Sequence, residues 1–166
     1  MSPVRQDYLL KMIEAAFEAV RRIRKRRQDG GFADAARDAD AAIDELLGPQ
    51  AAIAARLDPA TAAQLLRDPE RVALWARLLA ERAAALHDAG DQPAARATGR
   101  RALETAVEAW LLEDEQRRLT APLLEILAEA LAMARRWDDP AALSARHRAG
   151  LDEALRRLPP TVAEPS

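Results

Sequence analysis

Three pairs of glutamates have the spacing that places two carboxylates one turn apart on the same face of a helix: Glu14 and Glu18, Glu104 and Glu108, and Glu125 and Glu129. If such pairs converged inside a helix bundle, their oxygens could bind Mg²⁺ or Mn²⁺. Arginines lie near the pairs, so we expect solvated surface carboxylates. The last pair lies in the most apolar segment and is the best candidate for a metal site.

Other catalytic groups are scarce. The chain has two histidines, His87 and His147, and Ala84 and Ser144 stand three residues before them, so the Glu-x-x-His element of di-iron bundles is absent. There is no cysteine for a nucleophile, a thiolate metal site or a disulfide. We therefore expect both histidines to be surface or half-buried helix residues without a catalytic role. We assign no catalytic residue, metal ligand or cofactor, and a small helical enzyme with carboxylate ligands remains the alternative.

The strongest charge feature is the basic run within residues 21–27, which reads RRIRKRR. It could bind nucleic acid or another anionic partner, but no aromatic residue is interleaved for base stacking. Asp34 and Asp38 follow closely and can neutralise it. The whole chain has a formal charge of −2, so nucleic-acid binding is only a weaker alternative.

The composition predicts an all-α protein. Hydrophobic residues make up 49% of the 166 residues, but only 4% are aromatic, and alanine, arginine, leucine and glutamate favour helices. No apolar run approaches the length of a membrane span, and no secretory signal is evident. We expect a single cytoplasmic domain over residues 1–158, with no membrane contact and a disordered proline-containing tail at 159–166.

Apolar periodicity and start and stop signals predict the helices. One or two short helices are expected in the connecting stretch 50–68. Asp139 followed by Pro140 resembles a helix start. The long helices are predicted at residues 4–28, 32–47, 69–89, 93–118, 121–137 and 139–158.

The glycine turn and the alanine-faced helix after it repeat along the chain. When Gly30 is aligned with Gly90, three positions of the following helix coincide, namely Ala35 with Ala95, Ala42 with Ala102, and Ile43 with Leu103. When Gly90 is aligned with Trp137, residues 91–95 fall on 138–142, and Ala102 falls on Ala149. These matches predict three helical hairpins.

These features resemble the tetratricopeptide-repeat-like helical superfamily, in which the second helix of each unit follows a glycine turn and carries small residues at set steps. The resemblance covers residues 30–110, although the period is not constant at 34. The opening QDYLLKMIEAAFEAV also resembles an uncharacterised family of bacterial all-helical proteins, which implies no activity. The repeat signature comprises Gly30, Phe32, Ala35, Ala39, Ala42, Gly90, Ala95 and Ala102.

The resemblance implies stacked antiparallel hairpins with five or more long helices. It also implies a groove lined by the first helix of each unit, which would accept an acidic, partly hydrophobic helix or peptide end unless the last helix fills it. The function predicted is a protein-interaction module, with a homodimer through helix 121–137 as a further possibility. The implied groove residues are Arg24, Arg27, Arg77, His87, Leu124, Leu127 and Leu131.

Overall fold

The chain is all-helical, as the composition predicts. The computed structural model describes residues 2–116, 120–139 and 141–158, and no strand occurs among them. Single 3-10 turns occupy Gly48–Gln50 and Arg135–Trp137. The α-helices are α1 (Pro3–Gln28), α2 (Phe32–Leu47), α3 (Ala51–Ala54), α4 (Pro59–Leu66), α5 (Pro69–Asp88), α6 (Gln92–Gln116), α7 (Ala121–Ala134) and α8 (Ala145–Arg157).

Local capping residues explain most helix starts. Asp58 accepts a hydrogen bond from the backbone N–H of Thr61, and Asp68 accepts one from Arg71. A proline follows each aspartate in the first turn, where its missing N–H costs nothing. One or two short helices are expected between residues 50 and 68, and the structure has two, α3 and α4; α5 begins at the predicted residue.

The start of the last helix differs from the prediction. Helix α8 begins at Ala145 because the hydroxyl of Ser144 accepts a hydrogen bond from the backbone N–H of His147 at 3.1 Å. Ala141 and Ala142 lie in a turn and not in a helix, so the third copy of the repeat does not match the first two. Pro140, residues 117–119 and the tail 159–166 lie outside the described residues.

Helix α5 lies at the centre of the molecule and packs against α1, α2, α6 and α7. The indole rings of Trp75 and Trp110 are buried in the largest cluster of apolar side chains, which joins α5, α6 and α7. A second cluster joins α1 and α2 to Leu78 and Ala85 of α5. Alanines at most of its contacts bring these three helices close together.

Two glycine turns join helices that run antiparallel. Gly30 between α1 and α2 has φ +81°, and Gly90 between α5 and α6 has φ +84°, a conformation that glycine adopts without steric cost. Arg26 near the end of α1 bonds to Asp38 in the first half of α2 at 2.6 Å. Arg82 of α5 likewise donates to Thr98 of α6 at 2.8 Å.

The apolar character of α7 is accounted for within a single chain. Leu123, Ile126, Leu127 and Leu131 are fully buried against the rest of the chain. These side chains prompted the hypothesis of a dimer through 121–137, and they are not available to a second copy. The helix also ends at Ala134, so Trp137 belongs to the following 3-10 turn.

Candidate functional site

Three of the predicted groove residues meet at one carboxylate. Glu81 of α5 is completely buried, and its Oε1 accepts hydrogen bonds from Nε of Arg24 at 2.9 Å and from Nη1 of Arg77 at 2.7 Å. Nη1 of Arg27 lies 3.6 Å from the other carboxylate oxygen. Residues from α1 and α5 therefore share one buried ion-pair network, which we call the Glu81 network.

Two further carboxylates complete the Glu81 network. Asp88 accepts a hydrogen bond from Nε of Arg27 at 2.8 Å, and Glu129 of α7 accepts one from Nε of Arg77 at 3.4 Å. Three arginines thus face three carboxylates of the same chain. Because the charges balance, the network has no excess positive charge with which to attract an acidic ligand.

The remaining groove candidates are distributed over the core and a different surface. Leu127 and Leu131 are buried, and Leu124 is half-buried against the same core. Arg77 is also buried, with only 4% of its side chain exposed. A partner therefore has no access to Arg77, Leu127 or Leu131, because the groove positions inferred by alignment face the inside of the bundle at these residues. His87 lies elsewhere, in the last turn of α5.

The basic run is largely paired within the chain. Apart from the two arginines of the Glu81 network, Arg21 lies 3.8 Å from Glu18, Lys25 lies 3.8 Å from Asp29, and Arg26 bonds to Asp38. Arg22 has no ion pair among the described residues. The run therefore acts mainly in holding α1 to α2 and α5.

The glutamate pairs also contact arginine or solvent. Glu108 of α6 is buried, where its Oε1 lies 2.7 Å from Nε2 of His147, and Arg146 also bonds to it. Burial alone would raise the pKa of Glu108, but the hydrogen bonds from His147 and Arg146 outweigh it and lower the pKa. The described residues contain no group of three or more histidine, aspartate or glutamate side chains placed to hold a metal ion.

An open cleft of about 970 Å³ lies between the start of α6 and the 3-10 turn after α7. We call it the arginine cleft. Its polar and aromatic lining consists of His87, Gln92 and Trp137 together with the charged residues Arg96, Arg100, Arg101, Arg136, Glu104, Asp138 and Asp139. Arg96 and Arg100 stand one turn apart on α6, and Arg136 faces them from the turn. Arg101 lies on the same helix, so four guanidinium groups and three carboxylates line one recess.

Two of these four arginines are not neutralised by the protein. Arg96 and Arg136 are exposed and have no ion pair within the described part of the chain. Arg136 lies with its guanidinium carbon 4.7 Å from the ring centre of Trp137. Arg100 bonds to Glu104 at 3.0 Å on the same helix, in an exposed pair that is weak in water. The cleft can therefore donate several charge-assisted hydrogen bonds to an anion.

Trp137 forms the apolar wall of the arginine cleft. Its indole packs directly on Gly99 of α6, so closely that a Cβ atom at position 99 would overlap the ring. The His87 ring meets the indole edge-on, with centres 5.7 Å apart, and is held by Gln92 at 2.9 Å. An aromatic surface beside free arginines suits a ligand that is both acidic and partly apolar.

A bidentate ion pair fixes the turn that carries Trp137. Arg148 of α8 donates to both carboxylate oxygens of Asp138, at 2.8 and 2.9 Å. The hydrogen bond from Arg148 lowers the pKa of Asp138. Helix α8 therefore positions the wall of the cleft through the residue next to Trp137.

Sequence patterns alone did not reveal this cleft, although two signals were present. The chain has Arg96 and Arg100 four residues apart, and it has Gly99 inside a helix, which costs stability unless something packs on it. Neither signal indicates that Trp137, which is distant in sequence, is the packing partner. Only the tertiary arrangement brings the arginines and the indole together.

Comparison with protein-family models, curated proteins and solved structures found no match to this chain. Among the described residues, no helix has the length and apolar character needed to cross a membrane. The assignment of a function therefore rests on the geometry of the cleft.

Proposed function

We propose that this protein is an interaction module that binds an acidic, partly apolar protein segment in the arginine cleft. The observation that supports this most is the pairing of two unneutralised arginines, Arg96 and Arg136, with the half-buried indole of Trp137 in one recess. The proposal keeps the class of partner that the sequence predicts and changes its place of binding.

The dimensions of the cleft favour a peptide over a lone ion. Its volume of about 970 Å³ lies at the upper end of what ligand pockets span, and a single small anion would leave most of it to water. Carboxylates of an extended or helical segment could reach Arg96 and Arg100 from one side and Arg136 from the other. An apolar side chain of the same segment would cover the indole of Trp137.

The repeat that the sequence predicts is a second line of support, since helical repeats commonly serve as binding scaffolds. At both glycine turns an amide bonds back five residues, Gly31 to the carbonyl of Arg26 and Asp91 to that of Leu86. The small residues after each turn, Ala35 and Ala95, are completely buried. A tetratricopeptide-like relationship between α1–α2 and α5–α6 explains this correspondence.

The order of helix packing agrees with the same relationship. Helix α5 packs against α1 and α7, which would be the first helices of the neighbouring units, and α6 packs against α8. Helix α8 starts later than a full third unit requires. In this interpretation the third hairpin is a shortened terminal unit, and the arginine cleft lies where the shortening leaves α6 uncovered.

Peptide binding measured by fluorescence anisotropy tests the proposal. The probe is a fluorescein-labelled peptide of six glutamates and one leucine, with a glutamine-for-glutamate peptide as the neutral comparison. We expect the acidic peptide to bind and the neutral one not to bind. The double variant Arg96→Glu and Arg136→Glu should weaken binding by about tenfold or more, because each charge-assisted hydrogen bond contributes about 1.5–3 kcal/mol.

A matched control separates the cleft from general electrostatics. Arg5→Glu with Arg22→Glu makes the same charge change at two exposed arginines of α1 that have no ion pair among the described residues. This control should bind the acidic peptide within about twofold of the parent protein, because neither arginine lines the cleft and salt screens interactions between separated exposed charges. Equal losses in both double variants would contradict the proposed site. Competition by inorganic phosphate at low concentration would indicate a site for a small anion instead.

A further inference from the structure

The first half of α1 exposes apolar side chains. Residues 2–8 are all exposed, and the first buried residue of the helix is Ala16. Val4 is 79% exposed and Tyr8 is 57% exposed. A helix without a packed apolar face is only marginally stable in water. We therefore expect another protein surface to cover this segment.

The exposed side chains continue into an apolar groove. A groove of about 380 Å³ between α1 and α2 is lined by Tyr8, Met12, Ala15 and Ala19 on the α1 side, and by Ala42 and Leu46 on the α2 side. Helical spacing aligns the residues of α1 along one face. We call the accessible part of this face the α1 strip, which comprises Val4, Tyr8, Met12 and Ala15.

Helix α1 is long enough to offer the strip to another molecule. It has 26 residues, whereas its partner α2 has 16, so α1 is longer by about 15 Å. The residues that come before the first buried position form this excess. The strip is therefore partly a free helix and partly one wall of a groove.

We infer that the α1 strip binds the α1 strip of a second copy of this chain, in an antiparallel two-fold arrangement. In such an interface the same patch serves both copies. This inference does not rest on the arginine cleft, which lies on α6 and the turn after α7. It also replaces the earlier hypothesis of a dimer through α7.

The order of large and small residues along the strip is self-complementary. The bulky side chains of Val4 and Tyr8 occupy one end, and Ala15 occupies the other, where the buried Ala19 forms the floor of the groove. When two copies run antiparallel about a point near residues 11 and 12, Tyr8 of one copy lies over Ala15 of the other. The tyrosine ring then enters the alanine-lined groove, where a large side chain meets small ones.

The charges at the groove also suit a second copy. Lys11 and Glu45 both line it, and neither has an ion pair among the residues that the structure describes. In the two-fold arrangement, Lys11 of each copy can reach Glu45 of the other, which produces two equivalent ion pairs. A second copy complements both the side-chain sizes of the α1 strip and the charges of Lys11 and Glu45, which we do not expect of an unrelated partner.

Sedimentation velocity of the full chain over a wide range of concentration tests the inference. We expect the mass to rise with concentration from 18.2 kDa towards twice that value, because reversible association of two copies follows mass action. Tyr8→Glu should weaken association by about tenfold or more. Leu155→Glu is the control, because Leu155 is an exposed apolar residue on α8, and it should associate like the parent protein.

A charge-exchange experiment tests the identity of the occupant. Lys11→Glu alone and Glu45→Lys alone should each associate less well than the parent, because like charges then meet at both ion pairs. An equal mixture of the two variants should regain parental association through mixed dimers. A parent protein that stays monomeric at every concentration, or association unchanged by Tyr8→Glu, would overturn the inference. A mixture of the two variants that associates no better than either variant alone would also overturn the inference.

Discussion

The indole ring of Trp137 occupies the space into which a side chain at position 99 would project. Gly99 lies inside α6, and an ideal Cβ there would overlap three atoms of the ring. The glycine is thus required by a contact between α6 and the turn after α7. Since that turn also carries Arg136, the contact fixes both the aromatic wall and one cationic group of the arginine cleft.

Gly99→Ala should destabilise the protein and weaken binding in the cleft. In an ordinary helix interior, alanine is more favourable than glycine by about 1 kcal/mol. Here the added methyl group displaces Trp137, and such overpacking costs about 1–3 kcal/mol. We expect a lower midpoint in urea unfolding and weaker binding of the acidic peptide.

Gly31→Ala is the control for that substitution. A Cβ atom at Gly31 would meet nothing closer than the carbonyl oxygen of Arg26 at 3.5 Å. Peptide affinity should not change in this variant. If Gly99→Ala were as stable as the parent and bound the peptide equally well, the placement of Trp137 would be wrong.

Glu81→Gln should be strongly destabilising. The substitution keeps the shape of the side chain but removes the buried negative charge that Arg24, Arg27 and Arg77 share. Loss of one partner from a buried ion pair costs about 3–5 kcal/mol, and the buried Arg77 would retain only its longer contact to Glu129 at 3.4 Å. Urea unfolding at neutral pH measures the loss.

Glu18→Gln is the matched comparison. It removes a carboxylate of α1 whose partner Arg21 is 3.8 Å away and whose side chain is 70% exposed. Exposed ion pairs contribute little, so its unfolding midpoint should stay close to that of the parent. A similar small effect for Glu81→Gln would show that the Glu81 network does not hold α1 to α5.

Glu70→Gln should stabilise the protein at alkaline pH and have little effect at acidic pH. Burial raises the pKa of Glu70 from 4.5 to about 7, and a hydrogen bond to Asp68 adds to the rise. A raised pKa means that the folded state retains a proton that the unfolded chain releases. The stability contributed by that proton is therefore lost as pH increases from about 4.5 to about 7.

Glutamine resembles the protonated glutamate and does not ionise, so the variant avoids this loss. We expect its free energy of unfolding to match the parent at pH 4.5 and to exceed it by about 1–3 kcal/mol at pH 8. Glu125→Gln, on an exposed carboxylate of α7, is the control. A stability difference for Glu70→Gln that does not vary with pH would contradict the burial of an ionisable group at this position.

The elements that the sequence predicts best are those with local causes. These boundaries depend on residues that act on neighbouring backbone groups, namely Gly30, Gly90, Asp58 and Asp68. Helix α2 and the start of α5 therefore fall where predicted. The predicted start of α8 was wrong, because Asp139 followed by Pro140 resembles a helix start as closely as Ser144 does. Only the hydrogen bond from His147 to Ser144 shows which one is used.

The site was harder to predict because it depends on which helix faces meet. Alignment placed Arg24, Arg27 and Arg77 together, and they do converge, but the sequence does not show that Glu81 lies between them. Leu127 and Leu131 have the same spacing whether they face a core or a groove. The arginine cleft joins residues from separate hairpins, and no local pattern links Arg96 to Trp137.

The most direct test of the proposed cleft is the response of the tryptophan indole N–H signals to the acidic peptide in two-dimensional NMR. Trp137 lines the cleft, whereas Trp110 is buried in the core. We predict that titration shifts the Trp137 signal in proportion to occupancy, leaves the Trp110 signal in place, and has no such effect in the Arg96→Glu, Arg136→Glu variant. Peptide binding that leaves the Trp137 signal unmoved would contradict the arginine cleft as the binding site.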